Sequence, residues 1–136
     1  MDIEVLKLIF DFGLLVLIWL VQLVIYPGFS YYQKHDLLRW HKKYTIRLGY
    51  VVMPLMIGQL SLAIVQVIND FTMLSTVSLG LIIGVLLSTF LQFVPLHRKI
   101  SSNVFDNAIL KQLVQRNWLR TVLWTLIFVL SCLGMI

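Results

Sequence analysis

Residues 31–68 read YYQKHDLLRWHKKYTIR and then LGYVVMPLMIGQLSLAIVQVI. The first part carries Lys34, Arg39, Lys42, Lys43 and Arg47 around Leu37, Leu38 and Trp40, with no Pro or Gly. The second is an uncharged apolar run, long enough to cross the roughly 30 Å hydrocarbon core of a bilayer. The pattern predicts one helix that projects beyond the lipid headgroups and runs straight into a membrane span. Pro54 is expected to bend that span, because proline removes an intrahelical hydrogen bond.

The pattern recurs in the second half, where Arg98, Lys99, Lys111, Arg116 and Arg120 form another basic stretch. Only Lys7 among the eleven basic residues lies outside the two stretches, and only Asp36 and Asp106 among the six acids lie inside them. Four apolar runs surround them, giving expected spans at 8–26, 48–68, 73–94 and 119–136. The predicted class is all-α, an integral membrane four-helix bundle with cytoplasmic helical extensions, formed by residues 1–136 as a single domain. Lys and Arg collect in cytoplasmic loops, so both termini are expected in the periplasm of a bacterial inner membrane. The net charge of +5 is thereby a topology signal, and no soluble basic domain remains to bind nucleic acid. The lipid bilayer is the expected surrounding.

The N-terminus lacks the positive region of a cleaved signal, since Asp2 and Glu4 precede Lys7, so the first span is expected to be retained. The lone Cys132 cannot form an internal disulfide and reads as a packing residue. The link 69–72 is too short for anything but antiparallel neighbours. Pro27-Gly28 is expected to end the first span and Pro95 the third; with Gln22 and Gln92 ahead of them, the halves hint at a duplicated hairpin. Residues 103–116 show an amphipathic pattern expected to lie on the membrane surface or cap the bundle. Thr76, Gly80, Gly84 and Ser88 form a small-residue stripe. It reads first as packing inside the bundle, second as a contact for another copy or a membrane partner.

Polar residues within spans are costly unless paired and are candidates for function. They gather at the basic end. Trp19, Gln22 and Tyr26 share a helical face by spacing, Gln92 falls one turn beyond Ser88, and His97 follows Pro95. Asn117, Arg120, Thr121 and Trp124 share another face, and His41 stands near the entry to the second span, with Tyr44 three residues on. Gln22, Tyr26, His41, Gln92, His97, Asn117, Arg120 and Trp124 are the candidate ligand-binding residues. The competing reading is ordinary anchoring at the interface and bonding between helices, which suits Trp40, Trp118 and Tyr50. Asp11 is expected to be shallow and solvated; Gln59, near mid-membrane, needs an internal partner that the sequence does not name. No metal-ligand spacing exists among the three histidines and one cysteine. Axial haem ligation by His41 and His97 is disfavoured by their position at or outside the interface, so the cofactor is left unknown.

The strings Trp19-Leu-Val-Gln22…Tyr26-Pro27, His41…Arg47…Pro54-Leu-Met56, Gln92-Phe-Val-Pro95-Leu-His97 and Asn117-Trp118-Leu-Arg120-Thr121…Trp124 resemble a group of short four-span bacterial inner-membrane proteins without an assigned activity. The resemblance covers nearly the whole chain. It implies an acidic residue where this chain has Gln59, a departure that argues against proton handling at that position. More remotely, the architecture is similar to anthrone-oxygenase-like proteins and to four-helix membrane protoporphyrinogen oxidases. That likeness implies oxidation of flat, lipophilic, multi-ring molecules near the membrane surface. The leading expectation is a site for a lipophilic quinone- or porphyrin-like compound, with catalysis left open. The alternative is a non-catalytic accessory subunit. Transport ranks third, because the sequence offers no evident intramembrane charge pair.

Overall fold

A computed structural model describes residues 2–135. Four helices make up the fold: α1 over Ile3–Tyr31, α2 over Lys34–Asn69, α3 over Met73–Ser101 and α4 over Asn107–Leu133, with no strand among the described residues. α1 packs against α2 and α4, and α3 does the same from the other side. The first three helices are long and apolar enough to cross a membrane. α4 is interrupted by Arg116, Asn117 and Arg120, so its uncharged part begins at Thr121. The expected end of the fourth span at Ile136 lies outside the described residues.

The helix boundaries follow local chemistry. α2 runs unbroken through Pro54, joining the basic extension to the apolar run as its composition predicts. Thr72 and Ser75 cap α3 reciprocally, each side chain bonding the other residue's amide at 3.1 Å, which turns the chain within the short link. Between α3 and α4 the chain reverses at Asn103, whose positive φ of 60° suits the short amide side chain. The Asp106 carboxylate then accepts from the Ile109 amide at 3.0 Å and starts α4. The amphipathic segment expected from residue 103 therefore begins at Asn107, and it caps the fold by continuing into α4, with Leu110 and Leu113 buried.

Pro27 and Pro95 do not end their helices, contrary to the sequence expectation. Each is preceded by one wide π turn, Val21–Ile25 in α1 and Thr89–Phe93 in α3, closed by the amides of Tyr26 and Val94. The wide turn relieves the proline ring's clash with the carbonyl four residues back, so the helix continues. It also inserts one residue into the period. Inward positions on α1 run Lys7, Asp11, Leu14, Ile18, Val21, then Gln22, Tyr26 and Phe29. On α3 they run Ser75, Ser78, Ile82, Val85, Ser88, then Phe93, Leu96 and Ile100. The outward faces stay apolar: on α1, Ile9, Phe12, Val16, Leu20 and Leu23 are each at least half exposed.

One glycine expectation is corrected. A Cβ added at Gly80 or Gly84 would meet nothing, so the small-residue stripe faces outward and does not pack inside the fold. Of its four members only Ser88 is buried. The close approach instead occurs at Gly58 on α2, where an added Cβ would overlap the Phe10 ring of α1.

Candidate functional site: a basic-end cavity and a buried polar axis

Helices α1, α2, α3 and α4 line a partly open cavity of about 280 Å³ near the basic end. Tyr26, Tyr44, Phe93, His97 and Arg120 supply its chemistry, and Leu17, Leu48, Val52 and Val94 its apolar wall. Arg120 is 7% exposed. Its guanidinium carbon lies 4.2 Å from the Phe93 ring centroid and 5.3 Å from that of Trp124. The ring faces offset part of the cost of burying the cation, by about 0.5–2 kcal/mol. Among the described residues the ion pairs are Lys7–Asp11 and Arg39–Asp36, so Arg120 has no carboxylate partner. Its Nε is buried without an acceptor, and so is the Tyr44 hydroxyl. The cavity thus offers a planar cation without a counter-charge and a hydroxyl without a partner, donors that suit an anionic or oxygen-rich group.

A linear hydrogen-bonded chain leaves this cavity. The Tyr26 hydroxyl is 2.9 Å from His97 Nε2, His97 Nδ1 is 2.8 Å from His41 Nε2, and His41 Nδ1 is 3.0 Å from Ser101 Oγ. The two imidazoles stack with centroids 5.0 Å apart, and Phe29 meets His41 edge-on. All four ring nitrogens are hydrogen-bonded, and no cluster of three or more His, Cys, Asp or Glu placed to hold a metal occurs among the described residues.

Four of the eight candidates, Tyr26, His41, His97 and Arg120, thus converge on the cavity or its hydrogen-bonded chain, and Trp124 stands beside Arg120. Gln22 and Asn117 come together beside it but serve each other: Asn117 Nδ2 donates to Gln22 Oε1 at 2.9 Å, while Gln22 Nε2 donates to the Val114 carbonyl at 3.3 Å. Gln92 does not join. Its placement one turn beyond Ser88 assumes an unbroken 3.6-residue period, and the π turn rotates it out and brings Phe93 in. Trp19 leaves the shared face for the same reason, packing edge-on against Trp118 instead. Tyr44 was readable only as a neighbour of His41, and Phe29, Phe93 and Ser101 carried no signal beyond spacing.

At the opposite end, the expectation of a shallow, solvated Asp11 is overturned. Asp11 is fully buried and 2.7 Å from Lys7 Nζ, also buried. Ser131 donates to the same carboxylate oxygen and accepts from Lys7 at 2.7 Å. The other oxygen accepts from Gln59 Nε2 at 2.7 Å, and Gln59 Oε1 accepts from Trp124 Nε1 at 3.2 Å. Gln59 has thereby found its partners, and the fold does contain a buried charge pair. The Lys7–Asp11 spacing of four residues was the available signal. Trp124 touches both systems, bonding Gln59 through its indole N–H and flanking Arg120 with its ring. Comparison with known proteins adds no relative: no family model, curated protein or solved structure matches this chain.

Proposed function

We propose that the chain is an integral four-helix bundle of the bacterial inner membrane, with 31–47 and 97–117 in the cytoplasm and both termini in the periplasm. In this reading it binds a lipophilic ring compound carrying an acidic or quinone-type oxygen at the cytoplasmic interface. The carrying observation is Arg120, buried in the cavity with no counter-charge and an unused Nε donor. The aromatic walls of Tyr26, Tyr44 and Phe93 supply ring contacts, and the exposed apolar rim of the helices supplies a lipid-side approach. A volume of about 280 Å³ falls just under the roughly 300–1,000 Å³ of drug-sized ligand sites. That size favours a one- or two-ring head group over the four-pyrrole macrocycle of the protoporphyrinogen oxidases.

The test is purification in mild detergent, followed by extraction and identification of bound small molecules, for the wild type, Arg120→Lys and the surface control Lys111→Arg. Lysine keeps the charge but loses the planar fork, so retained ligand should fall at least tenfold in Arg120→Lys alone. Gly49 lines the cavity where an added side chain meets nothing, so Gly49→Phe should occlude it and also lose the ligand. Normal retention in both variants would remove this reading. The second reading is an accessory subunit, favoured by one observation: Thr76, Gly80 and Gly84 present a small, outward-facing track that the chain itself leaves uncovered. Colourless, ligand-free protein that migrates with another membrane protein, and stops doing so in Gly84→Leu, would put that reading first.

A further inference from the structure

We infer that Tyr26, His97, His41 and Ser101 form a proton conduit between the cavity and the water at the basic end, and that the cavity's ligand is a phenol or quinol that ionises there. This rests on the reading of the cavity as a ligand site. Geometry carries it. The chain begins at two residues that line the cavity, Tyr26 and His97, and ends at half-buried Ser101, beside exposed Ser102. Each neutral imidazole has one N–H and one bare nitrogen, so the four groups can be ordered in either direction. In one order Tyr26 O–H donates to His97, His97 to His41, and His41 to Ser101. In the other, Ser101 donates inward and the Tyr26 hydrogen is turned toward the cavity. A row of hydrogen bonds with two equivalent polarities is what proton transfer along a line requires.

The step balances without any redox partner. The ligand O–H bond breaks and its proton goes to the Tyr26 oxygen as the Tyr26 proton passes to His97 Nε2. The proton on His97 Nδ1 passes to His41 Nε2, and that on His41 Nδ1 to the Ser101 oxygen. The Ser101 hydroxyl releases its own proton to water, and the ligand is left as an oxyanion facing the Arg120 guanidinium. The titratable and charged groups lining the cavity or joined in the line are Tyr26 from α1, His41 and Tyr44 from α2, His97 from α3, and Arg120 from α4. No carboxylate is among them. Arg120 therefore opposes a positive charge resting on the histidines and favours the oxyanion, so both ends of the transfer are driven the same way.

The experiment uses the full chain in detergent micelles with an alkylated 4-nitrophenol, whose anion alone is yellow, at a pH where the free phenol is neutral. Wild type should bind it, quench tryptophan fluorescence and turn it yellow. After a photochemical pH jump, the colour should relax at least tenfold faster than in Ser101→Ala or His41→Phe, with affinity in Ser101→Ala held within about twofold. Ser101→Ala decides if His41→Phe does not fold, since Ser101 is only half buried. Failure of the wild type to bind the phenol would overturn the cavity reading and the conduit with it. Binding and yellow colour with unchanged relaxation in Ser101→Ala and His41→Phe would overturn the conduit and leave the cavity standing.

Discussion

Replacing Asp11 by Leu removes, at one stroke, the acceptor of Lys7, Ser131 and Gln59. Lys7 is then an uncompensated cation that is only 2% exposed. Breaking a buried pair from one side costs about 3–5 kcal/mol. The two neutral donors add roughly 0.6 kcal/mol each, the average for hydrogen bonds between membrane helices. The expected loss is about 4–6 kcal/mol, a large share of the roughly 5–15 kcal/mol by which small domains are stable. Lys7→Met is milder, since the carboxylate keeps its bonds from Ser131 and Gln59; about 3 kcal/mol is expected. The double variant should recover most of the damage and fall within about 2 kcal/mol of wild type, because an ion pair replaced by apolar groups is often nearly neutral. The assay is reversible unfolding in mixed detergent micelles, followed by tryptophan fluorescence, which Trp124 reports directly through Gln59. Additive single-variant losses in the double variant would refute the pairing and the axis built on it.

Three further outcomes are expected. Gly58→Ala should cost about 1–3 kcal/mol by overpacking against Phe10 and be relieved by Phe10→Leu, whereas Gly84→Leu should leave the thermal midpoint unchanged. Tyr44→Phe removes a buried hydroxyl with no partner, so it should leave the ligand-free protein unchanged or about 1 kcal/mol more stable while weakening retention of the bound compound. In a Cys132→Ser background, single cysteines at Ser102 and Asp70 should label from opposite sides of the membrane, with Ser102 reached only from the cytoplasm; labelling of Ser102 from outside would overturn the orientation.

The helical class and the continuity of α2 were legible because charge segregation and apolar run length act over many residues at once. The convergence of Tyr26, His41, His97 and Arg120 was legible too, since each is an expensive residue at the same level of its helix. Gln92 was misplaced for a definite reason: one inserted residue at a π turn rotates everything beyond it by about 100°, and nothing in the spelling Thr-Phe-Leu-Gln-Phe announces it. Asp11 was misread because nearness to a span's end suggested water, although Lys7 one turn away offered a closer partner. The glycine stripe misled in the opposite sense, since spacing says which residues share a face but not which way the face looks.

The lopsided distribution of charge among the helices has a consequence for how the protein is made. Arg116 and Arg120 stand at the head of the uncharged part of α4, and no acid lies in that helix's later turns to offset them. α1 has no such difficulty, for Lys7 enters with its own neutralising Asp11 four residues away. α1 leaves the ribosome before α4. By the time α4 arrives, Gln22 is waiting for Asn117, Asp11 for Ser131, and the rings of α3 for the guanidinium. In the proposed topology, the order of the helices along the chain brings α4 to a groove whose polar partners its predecessors have already assembled.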